Sequence, residues 1–220
     1  MWTPEVNEMI VKGIGETLYM VLFSTGIGYL FGLPLGICLA VTDKDGIAPN
    51  KVLYKIMDII VNIIRSIPFL ILMILLIPFT RALIGGSTGS TAAIVPLVAA
   101  AIPFIGRMIE SSIKEVDQGV VEAARSMGAG NFRIIMKVLI VEARTSIVTG
   151  VTIALGTILG YSTMAGVIGG GGLGDIAVRY GYYRYQSDIM IATVILLVIL
   201  MQLFQSTGMF AANKINKRNK

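Results

Sequence analysis

Apolar residues occupy this chain in long blocks. A helix crosses the hydrocarbon layer of a bilayer with roughly 20 apolar residues. Five stretches approach that length: 17–41, 56–79, 91–109, 147–168 and 189–211. The first, fourth and fifth are clean. The second carries Asp58, Asn62 and Arg65 in its first turns and then Pro68, so its beginning is expected at an interface or against a cavity. The third is alanine-rich and contains Pro96 and Pro103. That pattern suits a kinked or tightly packed helix, because neighbours must satisfy the backbone groups a proline frees. The expected fold is an all-α integral membrane protein, with five transmembrane helices in a single domain over residues 1–220. A polar loop over about 110–146 separates the third and fourth spans.

Composition agrees with this pattern. Hydrophobic residues make up 55% of the chain and charged residues 14%, with a mean hydropathy of +0.81, values far from those of a soluble domain. The net charge of +5 could suggest nucleic acid, but the basic residues lie at span ends and in the tail rather than on one stripe. Loops on the cytoplasmic side of a membrane protein are enriched in Lys and Arg. One side holds Lys44, Lys51, Lys55, Arg107, Lys114, Arg125, Arg133, Lys137, Arg144, Lys214, Lys217, Arg218 and Lys220, and the other holds Lys12, Arg81, Arg179 and Arg184. That is 13 against 4, with Arg65 set aside inside a span. The expectation is an extracytoplasmic N-terminus and a cytoplasmic C-terminus. No cleavable signal is expected, since residues 1–16 carry Glu5, Glu8, Lys12 and Glu16. With no histidine, histidine catalysis and histidine metal sites are excluded. The single cysteine, Cys38, falls in an apolar run and reads as packing. No paired carboxylates flank a nucleophile, so the chain is not expected to be an enzyme or to hold a cofactor.

The polar loop is the informative segment. Gln118 to Met127 reads as a short helix with Val120, Val121, Ala124 and Met127 along an apolar stripe, and Glu122 and Arg125 beside it. Its small residues leave it slim enough to enter a groove on a partner. Gly128 ends it by tolerating a left-handed backbone. From Asn131, as an N-cap, a second helix carries Ile134, Ile135, Val138 and Val141 on its apolar side. Docking to a cytoplasmic partner outweighs the alternative, an amphipathic hairpin resting on lipid headgroups.

Three further groups are candidates for transport. Small residues Gly156, Gly160, Thr163, Ala165 and Gly166 permit close helix packing. Among them Tyr161, Ser162 and Thr163 offer hydroxyls to a translocation path, and Met164 offers a flexible apolar side chain to close it. The run Gly169-Gly170-Gly171-Gly172-Leu173-Gly174 lacks a GK[ST] and follows an apolar helix, so it reads as a tight turn rather than a phosphate cradle. Tyr180, Tyr182, Tyr183 and Tyr185 beyond it suit an interfacial aromatic belt or contact with an external partner. Asp58, Asn62 and Arg65, spaced i, i+4, i+7, share one helix face. Charges inside a membrane are functional candidates by default, but here Arg65 is expected to snorkel to the interface with Asp58 as its partner.

Glu122-Ala123-Ala124, three residues, Gly128, nine residues and an aliphatic tail with Val138 and Ile140 resembles the EAA loop of permease subunits of bacterial ABC importers. Val141 stands where that family usually has proline. Arg65-Ser66-Ile67-Pro68-Phe69, and Tyr161-Ser162 with Met164-Ala165-Gly166 and the following GxGGLG, look like the permease subunits of methionine importers, over nearly the whole chain. The resemblance implies a type I ABC importer. Two copies of the chain would form the pathway, and two ABC ATPase subunits would receive coupling helices formed around Glu122, Ala123, Ala124 and Gly128. An extracytoplasmic binding protein would deliver methionine. ATP would be hydrolysed in the separate ATPase, and no nucleic acid is involved. An importer for another amino acid or small osmolyte is the alternative. A stand-alone channel or secondary transporter predicts mid-membrane coupling charges and inverted repeats, and neither is evident.

Overall fold

The structure, a computed structural model, describes residues 4–215, so Lys217, Arg218 and Lys220 of the basic tail lie outside the described residues. Helix α1 (Pro4–Thr42) begins well before the apolar run at 17. A connector, 43–50, leads to α2 (Lys51–Ser66), α3 (Phe69–Leu75) and α4 (Ile77–Ile84). Helix α5 (Ser90–Lys114) follows, then α6 (Gln118–Ser126). Next come α7 (Asn131–Ile134), a π-helical turn (Ile135–Leu139) and α8 (Ile140–Val167). Helix α9 (Gly172–Ile176), a second π turn (Ala177–Tyr182) and α10 (Ser187–Ile215) complete the described chain.

Helix α5 is the axis of the bundle. Its Leu97, Ile105 and Ile109 are fully buried. Gly28, Gly32 and Gly36 of α1, one every fourth residue, let α1 lie directly against it: a Cβ on Gly28 would fall 2.8 Å from Ala101 Cβ, and one on Gly32 would fall 2.9 Å from Ile105 Cβ. Apolar side chains gain little by leaving lipid, so such close small-residue contact supplies the packing energy. Pro96 and Pro103 sit inside the continuous α5 helix and are buried, the packed form of the expected pattern. Cys38 is exposed on α1 rather than packed.

Four described helices or helical runs are long and apolar enough to span: Pro4–Thr42, Ser90–Lys114, Asn131–Val167 and Ser187–Ile215. The second expected span, 56–79, is not one rod. Helices α2 and α3 are long and apolar enough only together and meet at a 102° bend, the geometry of a broken span or a re-entrant loop. The residue before a proline is pushed out of the helical region, and Ile67 has φ −80° and ψ 123°.

Two boundaries differ from the expectation. Helix α5 runs past 109 to Lys114, where buried Glu110 is partnered by Arg107 and by the partly exposed Lys114. The polar loop is correspondingly shorter than 110–146. The second loop helix is also the start of the fourth span, one helical run from Asn131 to Val167. No glycine or proline interrupts the sequence from 131 to 149, and Ile134, Leu139 and Ala143 are all buried, so packing extends the helix beyond its membrane portion. Gly130 occupies the cap position and Asn131 is the first helical residue.

Candidate functional site

Helix α6 has two distinct faces. Asp117 caps it, its carboxylate accepting from the Gly119 N–H at 2.7 Å. Val121 and Ala124 are buried, packing into the core beside Ile134 and Leu139. Val120 is 42% and Met127 82% exposed, and Glu122 and Ala123 are also exposed. The expected four-residue stripe is therefore split: Val121 and Ala124 hold the helix to the bundle, while Val120 and Met127 stay exposed. Gly128 stops the helix at φ 79°, with its N–H donating to the Arg125 carbonyl at 2.8 Å. On the following helix Ile134 is buried and Val141 exposed, so that expected apolar side is also only partly inward. Arg125, although exposed, donates to the Ile47 carbonyl of the 43–50 connector at 2.5 Å.

Asp58 and Asn62 do share a face, but their partner is Arg107 of α5, not Arg65. The Arg107 guanidinium pairs with Asp58, donates to Asn62 Oδ1 at 2.9 Å and to Glu110 Oε2 at 2.7 Å. Arg65 is exposed and has no hydrogen bond or ion pair among the described residues. The reason is reach across helices: Arg107 lies opposite Asp58 where α2 crosses α5, whereas Arg65 projects from the same helix near its end. Glu110, 3% exposed, accepts from Arg107, from Lys114 Nζ at 2.7 Å and from the Tyr54 hydroxyl at 3.2 Å. Lys114 also pairs with Asp43 of the 43–50 connector at 2.7 Å. The planar guanidinium fork spreads its donors over Asp58, Asn62 and Glu110, whereas a lysine would offer its three donors from one point. None of this cluster beyond Asp58 and Asn62 was singled out in the sequence. Its signal was Arg107, Glu110 and Lys114 at i, i+3, i+7.

The candidate pathway residues separate. Ser162 is 1% exposed and bonds back to the Leu159 carbonyl at 2.8 Å. The Thr163 hydroxyl donates to the Gly160 carbonyl at 2.7 Å. Tyr161 stacks on Phe69, rings 4.5 Å apart and 4° from parallel. Met164 is 47% exposed. It continues an open face of α8 formed by Ile153, Thr157, Gly160 and Val167. Ser162 is thus on the packed side and Met164 on the open one.

The glycine run is a junction. The Gly172 N–H donates to Glu16 Oε2 at 2.7 Å, the Leu173 N–H to Thr17 Oγ1 at 2.9 Å, and the Gly89 N–H to the Gly169 carbonyl at 2.7 Å. Gly172 has φ 77° beside the Thr17 hydroxyl, a conformation and a clearance that a side chain would forfeit. The turn between α8 and α9 thereby ties Glu16 and Thr17 of α1 to the starts of α5 and α9.

The profile of the family described as binding-protein-dependent transport system inner membrane component matches residues 32–219. The chain belongs to this family. It is 46% identical over 217 residues to the "Probable D-methionine transport system permease protein MetI" of Vibrio cholerae, covering 99% of this chain and 96% of that protein. It is 48% identical over 158 residues to the D-methionine transport system permease protein of Escherichia coli strain K12, covering 72% and 73%. Its fold matches the inward-facing MetNI methionine ABC transporter at a TM-score of 0.96 and 44% identity, over 98% of this chain and 100% of that one. An amino acid ABC transporter at 21% identity and a TM-score of 0.79 shares the fold alone.

In this binding-protein-dependent transport component the Asp43–Lys114 pair has a testable pH signature. The Lys114 ammonium hydrogen-bonded to Asp43 holds its carboxyl below the usual carboxylate range. A depressed acid contributes stability above its unfolded pKa and loses it as pH falls through the folded one. Thermal stability of the purified protein should therefore fall on acidification below about pH 4. In Asp43→Asn that fall should shrink, and an unchanged pH profile would discount the pair.

Proposed function

We propose that the chain is the membrane-spanning permease subunit of an ATP-driven importer that carries methionine into the cytoplasm. The observation that supports it most is near-full-length similarity to a methionine ABC transporter at a TM-score of 0.96 and 44% identity. Two copies of the chain line the path, and two ABC ATPase subunits on the cytoplasmic side hydrolyse ATP. A separate extracytoplasmic protein delivers the substrate. The chain sits in the bacterial plasma membrane with its N-terminus outside and its C-terminus in the cytoplasm, the arrangement favoured by 13 basic residues against 4.

On this reading α6 is the coupling helix. Exposed Glu122, Ala123, Val120 and Met127 face the ATPase groove, while Val121 and Ala124 fix the helix to the bundle. Closure of the ATPase pair shifts the helix, and the spans alternate between outward and inward access. Met164, on the open face of α8 with Tyr161 and Thr163 nearby, lies at the path.

Reconstitution into proteoliposomes with the ATPase and the binding protein tests the proposal. Labelled L-methionine should accumulate with ATP, and not when the ATPase is omitted. ATP-driven uptake of another amino acid with methionine ignored would replace the substrate, and uptake by this chain alone would defeat the reading. Gly128→Pro and Glu122→Lys should each reduce uptake at least about tenfold, the change that about 1.4 kcal/mol of lost docking energy produces. Proline cannot take the positive φ of Gly128 and lacks the N–H that bonds Arg125. Unimpaired uptake by well-expressed forms of both would remove the coupling assignment.

A further inference from the structure

Helix α2 is held unlike any other long helix of the chain. It buries one side chain, Val61, of its 16 residues. Polar groups fasten it at separate points instead. At its start, Asn50 Oδ1 accepts from the Leu53 N–H at 3.0 Å and caps it. Part-way along, Asp58 and Asn62 engage Arg107 of α5, and Tyr54 engages Glu110. At its end the chain leaves the helix at Ile67, and Phe69 stacks on Tyr161 of α8. A helix fixed by point contacts can tilt about them, whereas one interdigitated along a face moves only with its neighbour.

Both ends meet elements that the proposed function sets in motion. Arg125 lies within the Glu122–Gly128 motif and, though exposed, reaches back to donate to the Ile47 carbonyl. Ile47 is separated from the first residue of α2 by three residues, and its connector hangs from α1 through the Ala48→Val41 and Asn50→Thr42 backbone bonds. A cavity of about 200 Å³ bordered by Ile47, Lys114, Gln118, Val121 and Leu139 lies beside this grip and leaves room for displacement. At the other end Tyr161 precedes Met164 by three residues, one turn along the same side of α8.

We infer that α2 is the rod that carries displacement of the coupling helix to the gate: Arg125 grips one end, Arg107 is its bearing, and the Phe69–Tyr161 stack delivers the movement beside Met164. Sixteen helical residues span about 24 Å, enough to link the elements at its two ends. The 102° break at Pro68 is the hinge at which tilt of α2 becomes movement of α3. Arg125, Arg107 and Phe69 are positioning residues, acting through α2 rather than on the solute. The inference rests on α6 being the coupling helix.

The experiment compares solute moved per ATP hydrolysed in the complete reconstituted transporter, with labelled L-methionine as probe. Arg125→Ala and Phe69→Leu should each lower uptake about tenfold, within the usual range of coupling effects, while ATP hydrolysis stays within about twofold of the unmodified complex. Arg125→Lys, which still donates to a carbonyl, should restore part of the uptake. Because the residues act in series, the double variant should be no worse than the poorer single one. Unchanged uptake, a parallel fall of hydrolysis and uptake, or additive losses in the double variant would each overturn the inference. If Gly128→Pro uncouples transport and Arg125→Ala does not, only the rod fails. If the unmodified complex shows no ATP-dependent uptake, the proposed function falls and the rod with it.

Discussion

Replacing Gly36 with isoleucine is expected to remove the folded protein from the membrane. A Cβ at position 36 would lie 2.6 Å from Ile109 Cβ and against the Gly106 carbonyl oxygen. One obstacle is backbone and the other is the branched root of a fully buried side chain, so neither can swing aside. The only relief is separation of α1 from α5, the pair on which the bundle is built. Overpacking a well-filled interior costs typically about 1–3 kcal/mol, and more where backbone must move. Gly15→Ala is the control, because a Cβ there meets nothing within 4 Å. Size-exclusion of the detergent extract should show the Gly15 variant at the parental level and the Gly36 variant aggregated or missing. Parental recovery of Gly36→Ile would mean that α1 and α5 are not closely packed.

Arg107→Ala is expected to produce the next largest loss. The guanidinium is the common donor to Asp58, Asn62 and Glu110, and its side chain is only 20% exposed. Removing one member of a buried ion pair leaves the other charge without compensation and costs about 3–5 kcal/mol. The lower end applies here, since the Asp58 side chain is 29% exposed and Lys114 still serves Glu110. Arg107→Lys should recover part of the loss, because an ammonium restores charge without the fork that reaches three acceptors at once. Thermal denaturation of the purified permease distinguishes these cases. Equal stability of Arg107→Ala and the parent would show that the cluster is solvated and contributes nothing.

The limits of what could be read in advance have physical causes. Long apolar runs are legible because lipid imposes one requirement on every residue of a span, and that requirement is written in composition. Proline and glycine are legible because their backbone restrictions are local. Gly128, for one, marked the end of α6. Partner choice is not local. Asp58 has Arg65 seven residues away on its own helix and Arg107 forty-nine residues away on another, and only the crossing of α2 over α5 selects the second. The same holds for Arg125, whose acceptor is a backbone carbonyl that no residue type announces. Ser162, Thr163 and Met164 follow one another on one helix, and nothing in their residue types says which of them is buried. Neighbouring helices decide which is buried.

By itself the sequence determined that this chain spans a membrane, which end is basic, where α6 begins and stops, and that the third span could survive two prolines. Each follows from a property carried by single residues or by periodic runs. Tertiary structure alone decided that α2 and α3 meet at a 102° bend and that the helical run to Val167 begins at Asn131. It also decided that Arg107 holds Asp58 and Asn62, and that the glycine run ties α1 to the starts of α5 and α9. Those outcomes depend on which surfaces meet after the helices have formed. A helix is set by contacts three or four residues apart, whereas a bundle is set by contacts between residues tens of positions apart, and their pairing exists only once the chain has folded.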